Sequence, residues 1–418
     1  MRFIHAADIH LDSPLIGLSA YPDAPAERLR TATRDAFENL VSLAIDEAVD
    51  FLVIAGDLYD GTWKDFNTGI YFARQVGRLK QVGIPVYLLY GNHDAESEMT
   101  KKLSLPDNVH VFPSNKAATF ILPELRVALH GRSFKVAATT EDLATTYPDP
   151  RPGWLNIGVL HTALEGYAAH ATYAPCSLAE LHAKGYQYWA LGHVHQYLQW
   201  DGSSIIAFPG NLQGRNIRET GPKGALLVTA DGADIQSVER RFVDVLRWHR
   251  LQIDVSQASA LAEVVQLVAR NLEELVAGRE SPLPLAVRLT LTGASRAHGE
   301  LFGLEPQLRA EVLAQAASIA GEQLWIEKVE VDTVPLDRPE LLATRGGAVA
   351  DLQAILAGAS RDEALLQSLR DDFAQLVAKI PPEVLRALPQ LANVRSGQLQ
   401  ELVQATVPSL LARIAASE

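Results

Sequence analysis

The tetrad Gly91-Asn92-His93-Asp94 constrains this chain more than any other stretch. It follows the apolar run Val86-Tyr87-Leu88-Leu89-Tyr90, which predicts a buried strand of an α/β sheet. Four other apolar runs end in similar chemistry, at Asp8-Ile9-His10, Gly56-Asp57, His161 and Gly192-His193-Val194-His195. Each piece alone has an ordinary reading. Gly, Asn and Asp mark turns, a strand-end Asp caps a helix, and a lone His is a satisfied polar group. Five such clusters at five strand ends predict one shared site, because α/β sheets bind ligands beyond the ends of their strands.

From Met1 to about Val245, predicted strands and helices alternate as in a layered α/β domain. Expected strands are Phe3 to Ala6, Phe51 to Ala55, Val86 to Tyr90, Val109 to Phe112, Ala118 to Leu122 and Arg126 to His130. Leu155 to Leu160, Gln187 to Leu191, Ile205 to Phe208 and Ala225 to Thr229 complete them. Helical spacing runs from Pro25 to Ala48 and from about Phe66 to Val82. Residues 246–336 predict a small α/β cap in the order β-α-β-α-β, with strands near Leu251 to Val255, Leu285 to Leu291 and Trp325 to Val334. Residues 337–418 are wholly helical in pattern. One stripe joins Leu365, Leu366, Leu369, Phe373, Leu376 and Val377, and another Leu399, Leu402, Val403, Leu410, Leu411 and Ile414. Those stripes fit a self-packed bundle or a partner-docking arm equally well.

The 418 residues, 48% of them hydrophobic, are enough for two or three cored domains. No apolar run approaches the ~20 residues of a membrane span. Arg2 to Ala7 runs into Asp8 without a secretory leader, and the single cysteine, Cys176, allows no intramolecular disulfide. A cytoplasmic location is therefore expected. The net charge of −13 is spread along the chain and argues against an indiscriminate nucleic-acid coat. Any nucleic-acid chemistry must come from the site.

The five clusters supply Asp8, His10, Asp57, Asn92, His161, His193 and His195. Carboxylate, amide and imidazole donors suit two hard or borderline divalent cations ~3.5–4 Å apart, the arrangement used to cleave phosphoesters. Mn²⁺ fits best, with Mg²⁺, Fe or Zn²⁺ as alternatives. Period-two alternation in an extended segment would put Asp8 and His10 on one side, and likewise His193 and His195. His93, on the side opposite Asn92, is left to meet a leaving group. His5, His110, His130, His170, His182, His249 and His298 are expected to be structural or surface groups.

The order Asp-x-His, Gly-Asp, Gly-Asn-His-Asp, His, Gly-His-x-His resembles the signature of calcineurin-like metallophosphoesterases, with their layered αββα sandwich. The strings Asp8-Ile9-His10-Leu11-Asp12-Ser13-Pro14, Gly56-Asp57-Leu58-Tyr59-Asp60 and Phe208-Pro209-Gly210-Asn211 are similar to SbcD-type double-strand-break repair nucleases. The Leu-Asp-Ser-Pro continuation resembles their YhaO-like branch. The resemblance covers roughly residues 1–240.

The resemblance implies that Asp8, His10 and His195 hold one metal, Asn92, His161 and His193 the other, and Asp57 both. It implies that His93, oriented by Asp94, gives a proton to the departing sugar oxygen. It also implies DNA as substrate, Mn²⁺-dependent trimming of ends, an SMC-like (SbcC-type) ATPase partner and a homodimer. Where archaeal and eukaryotic relatives commonly have a histidine three residues past the bridging Asp, this chain has Asp60, so that histidine's role does not transfer. Arg215, Arg218 and Lys223 are candidate contacts to a DNA backbone, or else solvated surface charges. Tyr59, Trp63 and Lys64 could stack on and clamp an unpaired end, or Trp63 could pack under its loop. The competing functions are a phosphoesterase for a small phosphodiester or a phosphoprotein, and a non-catalytic subunit of a DNA-repair complex.

Overall fold

The computed structural model describes residues 1–15, 26–60, 66–96, 105–164, 173–336, 355–356, 358–380, 394–400, 402–403, 406 and 410. Trp63, Lys64, His170, Leu411 and Ile414 lie outside the described residues. The chain forms two compact units, one of Met1–His249 with Leu283–Ala286 and one of Arg250–Pro282 with Val287–Glu418.

Two six-stranded sheets build the first unit. In the first, β1 (Arg2–Ala6), β2 (Phe51–Ala55), β3 (Val86–Leu89) and β4 (Val109–Val111) run parallel, and β11 (Gly224–Asp231) and β12 (Asp234–Phe242) extend it antiparallel beyond β1. The second has the order β5-β6-β7-β8-β10-β9, with β5 (Ala118–Leu122), β6 (Val127–Gly131), β7 (Leu155–His161), β8 (Tyr188–Gly192), β9 (Leu198–Trp200) and β10 (Ile205–Phe208). Its β6, β7, β8 and β10 are parallel.

Alternation along each strand explains the layers. Ile4, Leu52, Ile54, Val86 and Leu88 face Phe37, Leu40, Val41, Phe72 and Val76 of the long helices α1 (Ala26–Asp46) and α2 (Phe66–Gln81). Phe3, Phe51, Val53 and Leu89 point the other way, into a core shared with Leu129, Ile157, Val159 and Ala190 of the second sheet. Leu160, Trp189, Leu191 and Phe208 fill the outer face of that sheet under Leu143, Tyr147 and, from α4 (Leu178–Ala183), Leu181. Strands buried on both faces read as unbroken apolar runs, which is why the sequence located them. The fold is the layered sandwich expected. Strand β12 was not anticipated: Asp-Ile-Gln-Ser-Val-Glu-Arg-Arg-Phe is a half-exposed edge strand whose charges hide its alternation.

The second unit holds most of a three-stranded sheet in the order β13 (Arg247–Asp254), β14 (Leu285–Ser295) and β15 (Leu324–Pro335). They are joined by α5 (Leu261–Ala277), the short α6 (His298–Gly303) and α7 (Glu305–Ala320). Val264, Val268, Leu272, Leu289, Leu291, Leu308 and Val312 are fully buried. Further on, α8 (Glu363–Val377) buries Leu366 but leaves Leu365 exposed. Among the described residues no helix is long and apolar enough to cross a membrane.

His5 shows what a structural histidine looks like here. Its Nε2 lies 3.0 Å from the Leu191 carbonyl, which can only accept, so Nδ1 accepts from the Tyr188 hydroxyl at 3.0 Å. The neutral ring is satisfied, and burial lowers its pKa to about 3. A folded-state value below the ordinary 6.5 means that this contribution is complete above about pH 6.5 and fades as pH falls towards 3. The loss is about 1.4 kcal/mol per pH unit across that window. Thermal melts of wild type and His5→Gln are expected to diverge near neutrality and converge in acid. Parallel curves would remove His5 from the acid sensitivity.

Candidate metal centre

Three carboxyl-side loops build the floor of the site. Past β1 the chain stays paired to the segment past β2. Asp8 N–H donates to Gly56 O, His10 N–H to Asp57 O and Leu11 N–H to Leu58 O, each at 3.0 Å. The segment is not extended, as the period-two expectation required. Asp8, His10 and Asp57 adopt left-handed backbone with φ of 51°, 45° and 52°, and His193 has φ 105°. Backbone curling, rather than strand alternation, brings Asp8 and His10 together. Four of the eight described non-glycine residues of positive φ sit at this site. Such conformations cost of order 1–3 kcal/mol each and persist where surrounding contacts impose them.

All seven expected ligands converge. Ligand atoms of Asp8, His10 and His195 lie within 4.8 Å of one another, as do those of Asp57, His161 and His193. Asp57 Oδ2 stands between the groups, 3.4 Å from His161 Nε2 and 3.9 Å from His10 Nε2. Asn92 Oδ1 is 3.0 Å from His161 Nε2. The third group, His10, Asp60 and His93, lies at the mouth.

Hydrogen-bond logic shows what these atoms need. His161 Nδ1 faces the Ala55 carbonyl at 2.9 Å and must donate to it, so the neutral ring turns a lone pair at Nε2 towards Asp57 and Asn92. His195 Nδ1 likewise donates to Glu219 Oε1 at 2.8 Å and turns its Nε2 towards Asp8 and His10. Converging buried lone pairs repel unless a cation sits among them, and outer partners that fix the imidazole tautomer are characteristic of metal sites. The donor set fits two divalent cations. Burial pulls the His161 pKa down, but the neighbouring Asp57 carboxylate holds it up at about 9. Asp57 is in turn held well below the usual carboxylate range, the His161 charge outweighing burial. Burial raises Asp8 and lowers His10.

The motif glycines are required by proximity. A Cβ on Gly192 would lie 2.0 Å from the Ala55 carbonyl oxygen, and one on Gly91 would lie 2.3 Å from Asp57 Oδ1. Any side chain at either position would push ligands apart.

Asn92–Glu96 forms a single helical turn, α3, which sets His93 at the rim. Its backbone N–H donates to Asp57 Oδ1 at 3.0 Å, and its ring stands edge-on to His10 with centroids 5.0 Å apart. Nδ1 is 3.2 Å from Asp60 Oδ1. Burial would lower the His93 pKa, but its bond to the Asp60 carboxylate raises it above the ordinary value. The carboxylate beside the His93 ring is thus Asp60, whereas Asp94 was expected there. Asp94 accepts from the backbone N–H groups of Gly91, Leu58 and Tyr59, tying two ligand loops together. Burial lifts its pKa to about 7. In the primary chain Asp60 is marked only by its place, three residues past Asp57.

The expected substrate contacts divide. Arg215 lies against the site, with NH1 3.3 Å from Ser13 Oγ and NH2 3.4 Å from Glu219. Arg218 is exposed. Lys223 is buried and donates to the His195 carbonyl at 2.8 Å, so it supports a ligand loop instead of meeting phosphate. Tyr59 is buried with its ring edge against Phe72, so it is unavailable to stack on a base.

Residues 1–197 match the calcineurin-like phosphoesterase family, and residues 248–334 match the middle domain of metallophosphoesterase YhaO. The chain is 35% identical over 300 residues to the uncharacterized metallophosphoesterase YhaO of Bacillus subtilis, covering 71% of this chain and 72% of that one. It is 27% identical over 234 residues to the DNA double-strand break repair protein Mre11 of Sulfurisphaera tokodaii, covering 53% of this chain and 59% of that one. The Mre11 of Aeropyrum pernix is 23% identical over 344 residues, covering 77% and 78%. The matched segments carry every ligand loop described above, and with them the chain belongs to the calcineurin-like metallophosphoesterases, in the YhaO family.

Proposed function

We propose that this chain is a two-metal phosphodiesterase that trims DNA ends, with Mn²⁺ as its preferred ion. The observation that carries the reading is Asp57, set between the Asp8–His10–His195 group and the Asn92–His161–His193 group. When bound, the paired cations would supply a nucleophile at neutral pH and offset charge on the phosphoryl oxygens. His93 faces Asp60 through Nδ1, so Nε2 is the nitrogen that would pass a proton to the departing sugar oxygen. Asp94 would serve by locking the Asp57 and Asn92 loops. DNA is favoured over a small diester by the likeness to Mre11 proteins named for double-strand break repair.

Residues 1–245 would carry the chemistry, 246–336 form a cap, and 337–418 dock an SMC-like ATPase, the partner implied by the SbcD-type motifs. The half-exposed apolar face of α8, with Leu365 at the surface, supports that docking role. A homodimer belongs to the same proposal.

The purified chain, given end-labelled DNA and Mn²⁺, is expected to shorten the DNA, to stop on adding a chelator and to resume on adding excess Mn²⁺. A bis-aryl phosphodiester run alongside separates the alternatives. Turnover of that ester with intact DNA would point to a small substrate, and DNA cleavage that survives chelation would overturn the metal reading.

A further inference from the structure

The Phe208-Pro209-Gly210-Asn211 turn and the residues after it meet the site through a carboxylate that no sequence motif singled out. Glu219 is nearly buried and accepts four hydrogen bonds. Oε1 takes His195 Nδ1 at 2.8 Å and Arg215 NH2 at 3.4 Å, while Oε2 takes Asn211 Nδ2 at 2.8 Å and Arg215 backbone N–H at 2.7 Å. Asn211 is itself held by a bond to the Gln213 carbonyl at 2.7 Å. From Glu219 the chain of contacts continues through Arg215 NH1 to Ser13 Oγ at 3.3 Å, from Ser13 to Asp60 at 2.9 Å and from Asp60 to His93 at 3.2 Å.

We propose that Glu219 is a positioning residue for one cation only, the one held by Asp8, His10 and His195, and that Arg215 extends its hold to the Asp60–His93 pair. The inference rests on the two-cation reading above. Its selectivity follows from the outer partners of the two ligand groups. His195 owes its tautomer to Glu219, whereas His161 in the other group owes its own to the Ala55 backbone carbonyl, which no side-chain substitution removes. An outer partner of a ligating histidine typically contributes about 10- to 100-fold in metal affinity.

In Glu219→Gln one carboxylate oxygen becomes an NH2 donor, so only one acceptor oxygen remains. Either the His195 bond or the Asn211 and Arg215 bonds must break. Titration of the metal-free full chain with Mn²⁺ alone, followed by calorimetry and by the Mn²⁺ electron-resonance signal, reads each site without any substrate. Wild type is expected to take up two equivalents. Glu219→Gln and Glu219→Ala are expected to weaken one site by about 10- to 100-fold and leave the other unchanged. The unchanged site serves as the folding control. Two unaltered sites would overturn the assignment while leaving the two-cation reading intact. Loss of both sites would show that Glu219 holds the fold and not one ligand, which overturns it too. A wild type that binds no Mn²⁺ would end the inference together with the reading beneath it.

Discussion

Asp57→Ala is expected to release both cations and to leave less than about a thousandth of wild-type phosphodiesterase activity. The size of the effect comes from position. Asp57 Oδ2 is within 4 Å of imidazoles from both ligand groups, and Oδ1 takes the His93 backbone N–H. One substitution therefore removes the negative charge proposed to serve both cations and the acceptor of the His93 N–H. Asp57→Asn separates these contributions, because the amide oxygen still accepts from His93 while the charge is gone. Metal content by elemental analysis, with a circular-dichroism melt to check folding, tests both variants. A folded Asp57→Ala protein that retains two metal equivalents would refute the bridging position.

His93→Gln should behave in the opposite way, keeping both metals and losing turnover. General acid catalysis contributes about 10²- to 10⁴-fold, and that loss is expected in kcat on DNA, whose leaving alkoxide needs a proton. A bis-aryl diester leaves as a phenolate that needs far less help, so its turnover should fall much less. Asp60→Asn should reproduce part of the loss on DNA, since Asp60 orients the ring through Nδ1. Equal losses on both substrates would assign His93 to substrate binding instead of proton transfer.

The site was legible in the sequence to the extent that it depends on local signals. Apolar runs fix where strands stop, and the seven ligands each follow such a stop within a few residues, so their meeting could be expected from the sheet alone. Geometry that arises from contacts across the chain was not legible. The left-handed turns at Asp8 and His10 are set by backbone pairing with Gly56 and Asp57, about fifty residues away in the sequence. Glu219 reaches His195 from a loop with no apolar pattern. Tyr59 looked like a loop aromatic beside the bridging carboxylate, yet it is buried because α2 brings Phe72 against its ring. Lys223 carried a charge that suggested phosphate, and its burial under the His195 loop could be seen only in three dimensions.

The pairing of residues 8–11 with 56–58 also sets a ruler for the site. Three main-chain bonds of 3.0 Å clamp the turn carrying Asp8 and His10 to the turn carrying Asp57. The spacing of Asp8 and His10 from Asp57 is thereby set by the peptide backbone and not by side-chain packing. Substitutions on the surface that leave these main-chain bonds intact are therefore expected to leave the placement of Asp8 and His10 beside Asp57 unchanged.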